Sequence, residues 1–476
     1  MKVKDLINNI KTIKFDKNLL EKSVKDIKID SAQVQEGDIF IALKGQNFDG
    51  NDFVMQAYEN GASVIVSENK LELKNALQVE DARKFYALVC KNFFGRVCDK
   101  LKIIAVTGTN GKTTITHLIA NILGKSEKVG QIGTLGVQYG GKVIDSGMTT
   151  PDPYFLHKSF KDMFDSGCRT VVMEASAHAI YLKKLEGIKF DIAIMTNITE
   201  DHLDYFKSMS NYALAKARLF LECEVRYAIL CGDDKFCRAV KKYAKCKSVS
   251  YGIKNGDALA INIKKDFCGT EFELTLDGEK EKFKTNLIGE YNIQNALASI
   301  LACREVGLSI QEIKKRLSEV KEPEGRFNVI RNGDVNIVID FAHTPDGVEK
   351  ILKTARDISK EKLIVVFGCG GNRDKKKRPI MGQIASKYAD EVVITSDNPR
   401  WENPMDIINE IKKGATKNCK IIENRQEAVE YALQNYKNGT IIIAGKGAEK
   451  YQEIRGVKIP YSDFEVVDKL IKKDTK

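Results

Sequence analysis

A chain of 476 residues with 43% hydrophobic content is long enough for about three packed domains. Its formal charge of +11 is scattered rather than gathered in one arm, and no aromatic-basic stripe goes with it, so it suits an acidic small ligand and gives no sign of nucleic-acid binding. Eleven cysteines without a Cys-x-x-Cys pair exclude a zinc ribbon and a disulfide framework and point to a reducing cytoplasm, and no apolar run reaches the roughly 18 residues that span a bilayer, so no membrane partner is expected.

Residues 1–98 read as a small α/β unit, with predicted strands at 38–43 and 62–66, a Gly/Asn/Asp-rich loop at 45–51 and a helix at 52–60. Asp30-Ser31 and Gly37-Asp38 stand before the first strand, where they serve as caps and turns or meet a ligand. Residues 99–322 alternate predicted strands (103–106, 170–173, 191–195, 227–230) with helices, the pattern of a mostly parallel sheet covered on both faces. Short strands at 260–263, 271–276 and 282–287 read as an antiparallel insertion, helices follow at 292–306 and 309–320, and 321–325 is a linker. From 323 to 476, strands at 335–339, 363–367, 391–394 and 440–443 alternate with helices again, as in a Rossmann-like, doubly wound domain. The expected class is therefore α/β in three domains, the central one P-loop ATPase-like.

Residues 105–114 read Ala-Val-Thr-Gly-Thr-Asn-Gly-Lys-Thr-Thr between a buried strand and a helix. Gly108, Thr109, Asn110 and Gly111 offer backbone N–H groups to a phosphate chain, Lys112 adds a full charge, Thr113 adds a hydroxyl for a metal, and Thr114 completes the run. Strict P-loop spacing needs a glycine where Val106 stands, so the loop is a variant; the bland alternative is a Gly-rich strand-to-helix turn.

Glu174 follows an apolar strand, where a carboxylate suits Mg²⁺ beside phosphates; a solvated strand end is the alternative. His202 lies in the acidic stretch Asn-Ile-Thr-Glu-Asp-His-Leu-Asp (197–204), either near a helix cap or as an ion ligand. Lys216 falls in an apolar helical stripe with Tyr212 and Phe220; it either snorkels to water or has a lowered pKa and reacts with CO₂ to a carbamate that binds metal. Arg326 follows the linker and serves a ligand or an interdomain salt bridge, and Asp340 opens Asp-Phe-Ala-His-Thr-Pro. Arg373, the Asp397-Asn398-Pro399-Arg400 loop and the Gly445-to-Glu449 loop present two arginines and carboxylates to a small zwitterion, Arg gripping carboxylate and Glu449 gripping ammonium.

In this order these motifs resemble the Mur ligase family, ATP-dependent amide-bond-forming enzymes of bacterial cell-wall synthesis, over nearly the whole chain. The likeness is greatest to members that add the third amino acid to UDP-N-acetylmuramoyl-L-alanyl-D-glutamate, and the 397–400 loop is similar to that of users of meso-diaminopimelate rather than L-lysine. The resemblance implies that Lys112, Thr113 and Glu174 hold ATP and a first Mg²⁺, and that His202 and a carbamylated Lys216 help bind a second. It implies that Asn292, Asn295, Arg326 and Asp340 serve the nucleotide, and that Ser31, Thr149, Thr150, Ser176 and Lys184 meet the UDP-muramyl dipeptide. Arg373, Asp397, Asn398, Pro399, Arg400, Gly445 and Glu449 are implied for the amino acid, and the chain is expected to be a monomer whose domains close about the linker near Pro323. Ala32 replaces the arginine of an Asp-Ser-Arg signature, Ala177 a serine, Leu182 and Lys184 a glutamine and an arginine, and Phe206 a histidine. The same reaction with L-lysine, a ligase with another acceptor and, in different classes, a P-loop NTPase switch and a non-enzymatic scaffold are the rival readings.

Overall fold

The computed structural model describes residues 1–45, 48–276, 278–359, 361–416 and 419–474; Gln46 and Asn47 of the predicted 45–51 loop lie outside the described residues. Among these residues the strands form sheets of five, eleven, six and two strands. In the first sheet Ala76–Gln78, Val64–Ser67, Ile39–Ile41 and Ile27–Lys28 lie parallel in that order, with Lys14–Phe15 antiparallel at the edge. This unit is fastened to the next by Tyr86, whose hydroxyl donates to Asp152 at 3.0 Å, and by buried Lys91, which donates to Gly187 O at 2.7 Å.

The central sheet is parallel through Val129–Gly133, Thr170–Glu174, Lys102–Thr107, Lys189–Met195, Glu224–Cys231 and Lys247–Gly252, in that spatial order. Apolar runs buried on both faces, such as Ile103 to Val106 and Ile192 to Met195, are what a sheet with helices on both sides requires. The antiparallel insertion is present as Ala258–Asp266, Gly269–Leu276 and Glu279–Thr285; its last strand ends two residues before the predicted 287. A second antiparallel extension, Gly136–Tyr139 and Lys142–Ile144, continues the opposite edge and was not expected.

In the six-stranded sheet Val335–Asp340, Gly439–Ala444, Leu363–Phe367, Glu391–Ile394 and Cys419–Ile421 are parallel neighbours, with Asn328–Asn332 antiparallel outside. Four adjacent strands therefore release residues 340–345, 445–449, 368–374 and 395–400 at one carboxyl edge. In the central sheet three adjacent strands, Thr170–Glu174, Lys102–Thr107 and Lys189–Met195, likewise release Glu174, the 108–111 loop and residues 196–202 together. Ligands in open α/β sheets collect at such edges.

The linker is tied at both ends. His117 Nε2 donates to Lys321 O at 3.0 Å, and Gly325, at φ +74°, lies so close to Gly447 and Ala448 that a Cβ there would come within 2.2 Å of Ala448 N. Gly325 O accepts from Phe341 N at 2.9 Å. Among the described residues no helix is long and apolar enough to cross a membrane.

Candidate active site

The two carboxyl edges face each other across a cavity of about 540 Å³. Its wall on one side is the 109–114 loop with Glu174, His202, Asn292 and Asn295; on the other it is Arg326, Asp340, His343, Arg373, Asp397, Asn398, Arg400, Gly445 and Glu449. Thr149 also reaches it.

The loop conformation explains its glycines. Gly108 has φ +138° and a Cβ there would meet Thr196 Oγ1 at 1.8 Å; Gly111 has φ +90° and a Cβ would meet Asn295 Oδ1 at 2.4 Å. The loop is pinned by Thr109 N donating to Asn197 O at 2.8 Å and Thr196 Oγ1 donating to Asn110 O at 2.6 Å. Lys112 curls over it, donating to Gly108 O at 3.0 Å and Thr109 O at 2.9 Å, and burial pulls its amine below the usual lysine range. Under the loop Asn295 Nδ2 donates to Asn292 Oδ1 at 2.8 Å, so the two asparagines act as a pair.

Glu174 is 1% exposed, so it is not the solvated strand end that its position allowed. Its Oε1 accepts from Thr113 Oγ1 at 3.0 Å and from Thr134 N at 2.9 Å. A hydroxyl and a carboxylate side by side at a phosphate loop are hard oxygen donors of the kind Mg²⁺ takes when phosphates supply the rest of its shell. Among the described residues there is no group of three or more His, Cys, Asp or Glu side chains placed to hold an ion together. Thr134 is a wall residue that the sequence reading missed, for a lone threonine beside a glycine gives no signal.

Lys216 is 2% exposed and does not snorkel. Its Nζ donates to Gly108 O at 2.7 Å and sits 4.7 Å from the Tyr212 ring centre, beneath the loop rather than on the cavity wall. Burial, reinforced by the Lys112 charge, holds its amine well below the usual lysine range, which favours the neutral, nucleophilic form. His202, at φ +54° just before the short helix Leu203–Phe206, has Nε2 3.3 Å from Asp201 Oδ2, and burial lowers its pKa. Phe206 packs on His178, ring centres 5.1 Å apart.

Across the cavity the Arg326 guanidinium stacks 4.5 Å over the Phe341 ring, and Nη2 donates to Thr113 Oγ1 at 3.2 Å, so this arginine bridges the domains to a hydroxyl of the phosphate loop. Asp340 accepts from Phe327 N and Ala342 N, both at 2.7 Å, and burial raises its carboxyl pKa. Asn110 Nδ2 donates to Asp346 Oδ2 at 2.6 Å, a second bridge.

At the far end Asn398 Nδ2 donates to Glu449 Oε2 at 2.9 Å. Lys446, fully buried, donates to Asn398 Oδ1 and to Glu449 Oε2, both at 2.9 Å. The sequence reading missed this lysine, since its run Gly-Lys-Gly shows only a turn. Gly445 is required by φ +117° and by Asp397, whose Oδ2 would lie 2.5 Å from a Cβ. Arg400 donates through Nε to Glu453 Oε2 at 3.0 Å and through Nη1 to Gly371 O at 2.8 Å. Arg373 is lowered by burial and then by Arg400, two cations turned toward one space. Two guanidiniums and a carboxylate at that end have the chemistry to take a ligand bearing both carboxylate and ammonium.

Several expected residues lie off this wall. Thr150 Oγ1 donates to Glu174 O at 2.8 Å and accepts from Ser176 N at 3.0 Å; Ser176 caps the helix Ala177–Tyr181. Lys184 Nζ lies 3.4 Å from Met148 Sδ, with its pKa lowered by burial. Ser31 is in the first domain, where its hydroxyl donates to Gln56 Oε1 at 2.6 Å while Asp30 caps the short helical turn Ser31–Gln33. Gly108 and Pro399 do not line the cavity.

Three family descriptions match the chain: "Mur ligase family, catalytic domain" over residues 23–93, "Mur ligase middle domain" over 106–303, and "Mur ligase, glutamate ligase domain" over 325–447. A UDP-N-acetylmuramoyl-L-alanyl-D-glutamate--2,6-diaminopimelate ligase of Aquifex aeolicus is 41% identical over 462 residues, covering 96% of this chain and 95% of that protein. A Clostridium acetobutylicum protein, ligase 1 of the same name, is 43% identical over 484 residues, 99% of both chains. A solved structure of a ligase of that name superposes with a TM-score of 0.74 at 31% identity, covering 100% of this chain and 99% of that one. MurF ligase from Thermotoga maritima in complex with ADP shares the fold, with a TM-score of 0.66 at 21% identity over 95% and 98% of the chains.

Proposed function

The chain belongs to the Mur ligase family, and we propose that it joins meso-2,6-diaminopimelate to the D-glutamyl γ-carboxylate of UDP-N-acetylmuramoyl-L-alanyl-D-glutamate, with ATP as phosphoryl donor, in the cytoplasm. The observation that carries this reading is one cavity with a phosphate loop and a buried Glu174 on one wall and a two-arginine, Glu449-containing grip on the other. We take residues 1–98, 99–322 and 323–476 as the domains for the UDP substrate, ATP and the amino acid.

The γ-carboxylate attacks the γ-phosphorus of ATP, releasing ADP and leaving an acyl phosphate; the amine of diaminopimelate then attacks the carbonyl carbon, loses a proton and expels phosphate. Lys112 and the N–H groups of the 108–111 loop meet charge that builds on the transferring phosphoryl group. Thr113 and Glu174 would hold one Mg²⁺, and His202 with Lys216 as a carbamate a second; bound there, the ions neutralise phosphate charge and orient the reacting oxygens. Asn292, Asn295, Arg326 and Asp340 hold the nucleotide, while Ser31, Thr149, Thr150, Ser176 and Lys184 serve the UDP-muramyl end. Arg373 and Arg400 take a carboxylate of the incoming amino acid, and Asp397, Asn398 and Glu449 its ammonium. Domain closure about the linker excludes water from the acyl phosphate.

Phosphate release from ATP with the UDP-muramyl dipeptide and an amino-acid panel tests this. Release should need the dipeptide and be fastest with meso-diaminopimelate; equal ATPase with and without the dipeptide would refute ligation.

A further inference from the structure

The loops that carry Arg373 and Arg400 are fastened to each other by an ion cluster around one buried arginine, its two glutamates part-exposed, that none of the steps above uses. Arg378, on the helix Lys377–Tyr388, is fully buried. Its Nη1 donates to Glu402 Oε2 at 2.9 Å and to Glu410 Oε2 at 2.8 Å; its Nη2 donates to Glu402 Oε1 at 2.9 Å and to Gly370 O at 3.3 Å. Glu402 also accepts from Asn372 N, and Asn372 Oδ1 accepts from Trp401 N at 3.1 Å. One carboxylate thus meets the residue before Arg373, through its backbone, and the guanidinium that holds Gly370. It does so from a position two residues after Arg400. Arg378 holds Glu402 down so strongly that its carboxyl titrates at about 2.

A buried guanidinium flanked by two carboxylates adds little stability over an apolar filling of the same volume, because desolvation offsets most of the attraction. What it does supply is fixed direction. Arg373 and Arg400 repel each other; Arg400 is held by its own bonds to Glu453 and Gly371 O, whereas Arg373 rides on a loop whose course is set by what holds Gly370 O and Asn372 N. We propose that Arg378 and Glu402 are positioning residues, holding Arg373 and Arg400 at the separation that clasps a second carboxylate and so favours a diamino diacid over lysine. This rests on the amino-acid site proposed above. Glu410 supplies an internal control: it pairs with the same guanidinium from the helix Pro404–Lys412 but makes no contact with residues 370–373 among its described hydrogen bonds.

The test uses full-length Glu402→Gln, Glu410→Gln and Arg378→Lys, with KM measured for each of the three substrates and kcat/KM compared for meso-diaminopimelate and L-lysine. Glu402→Gln and Arg378→Lys should raise the diaminopimelate KM about tenfold and shrink its advantage over lysine by a similar factor, leaving the ATP and UDP-dipeptide KM values unchanged. Glu410→Gln should do neither. Equal shifts in Glu402→Gln and Glu410→Gln, a parallel rise in all three KM values, or insolubility of both glutamine variants would overturn the proposal by assigning the cluster to folding alone. Should the wild type prefer another amino acid, the substrate reading fails, and the same comparison made with that amino acid still decides the positioning role.

Discussion

Replacing Arg400 with alanine isolates recognition from folding. The backbone keeps its bonds, since Arg400 N donates to Glu453 O at 3.0 Å and Arg455 N donates to Arg400 O at 2.7 Å, and the positive φ of 51° is met by either residue. The side chain loses two hydrogen bonds, to Glu453 and to Gly371 O. Glu453 is part-exposed at 27% and rehydrates, so the fold loses about 1–2 kcal/mol of the about 5–15 kcal/mol typical of a domain. A hydrogen bond from a charged group to a bound carboxylate contributes about 1.5–3 kcal/mol, which is about a ten- to hundredfold change in affinity. The diaminopimelate KM should therefore rise by that factor in a phosphate-release assay, with the ATP KM unmoved. L-Lysine has no second carboxylate, so its own KM should barely change. An equal rise for ATP and diaminopimelate, or an equal rise for both amino acids, would refute the reasoning.

Lys216→Ala should lower kcat by about a hundredfold or more, and short carboxylates added to the buffer should restore part of it, because they return oxygen ligands to the space of a carbamate. Full activity of the alanine variant would end the carbamate reading. His157 is buried with its Nε2 unpartnered, and burial, aided by Lys91, pushes its pKa down to about 3 from 6.5. The fold thus holds the neutral ring while the unfolded chain binds a proton below pH 6.5, so this residue's contribution to stability is complete above that pH. It is lost as pH falls toward 3, at up to about 1.4 kcal/mol per unit. His157→Phe should flatten this part of the profile of unfolding midpoint against pH; identical slopes for both proteins would contradict it.

Much of the fold is legible because buried parallel strands are written as unbroken apolar runs: Leu363–Phe367 and Glu391–Ile394 stand where the sequence puts them. Strands that lack such runs were missed. Val129–Gly133 contains two glycines and a glutamine, Lys142–Ile144 is exposed throughout, and the hairpin Tyr451–Ile454 with Val457–Pro460 lies outside the main sheets, so none shows a clean period. The site divides in a similar way. Glycines and the Lys-Thr-Thr run announce a phosphate loop locally, whereas Lys216, Arg378 and Lys446 are cations that composition sends to the surface. Each is buried by a partner more than twenty residues away, Gly108, Glu402 and Asn398 respectively; an apolar helical stripe marks Lys216, while the pairings of Arg378 and Lys446 leave no mark on the local sequence.

The close approach of Gly325 to Gly447 and Ala448 has a thermodynamic meaning. It packs the segment bearing Arg326 against the turn bearing Glu449, with no room between them for a side chain. On the site proposed above, a nucleotide that draws Arg326 and an amino acid that draws Glu449 would act on a single equilibrium. Linkage would then make their effects reciprocal: the factor by which ATP tightened diaminopimelate would equal the factor by which diaminopimelate tightened ATP. A side chain at position 325 would wedge the two segments apart, and the first thing to vanish would be that shared factor, before either ligand lost its own contacts.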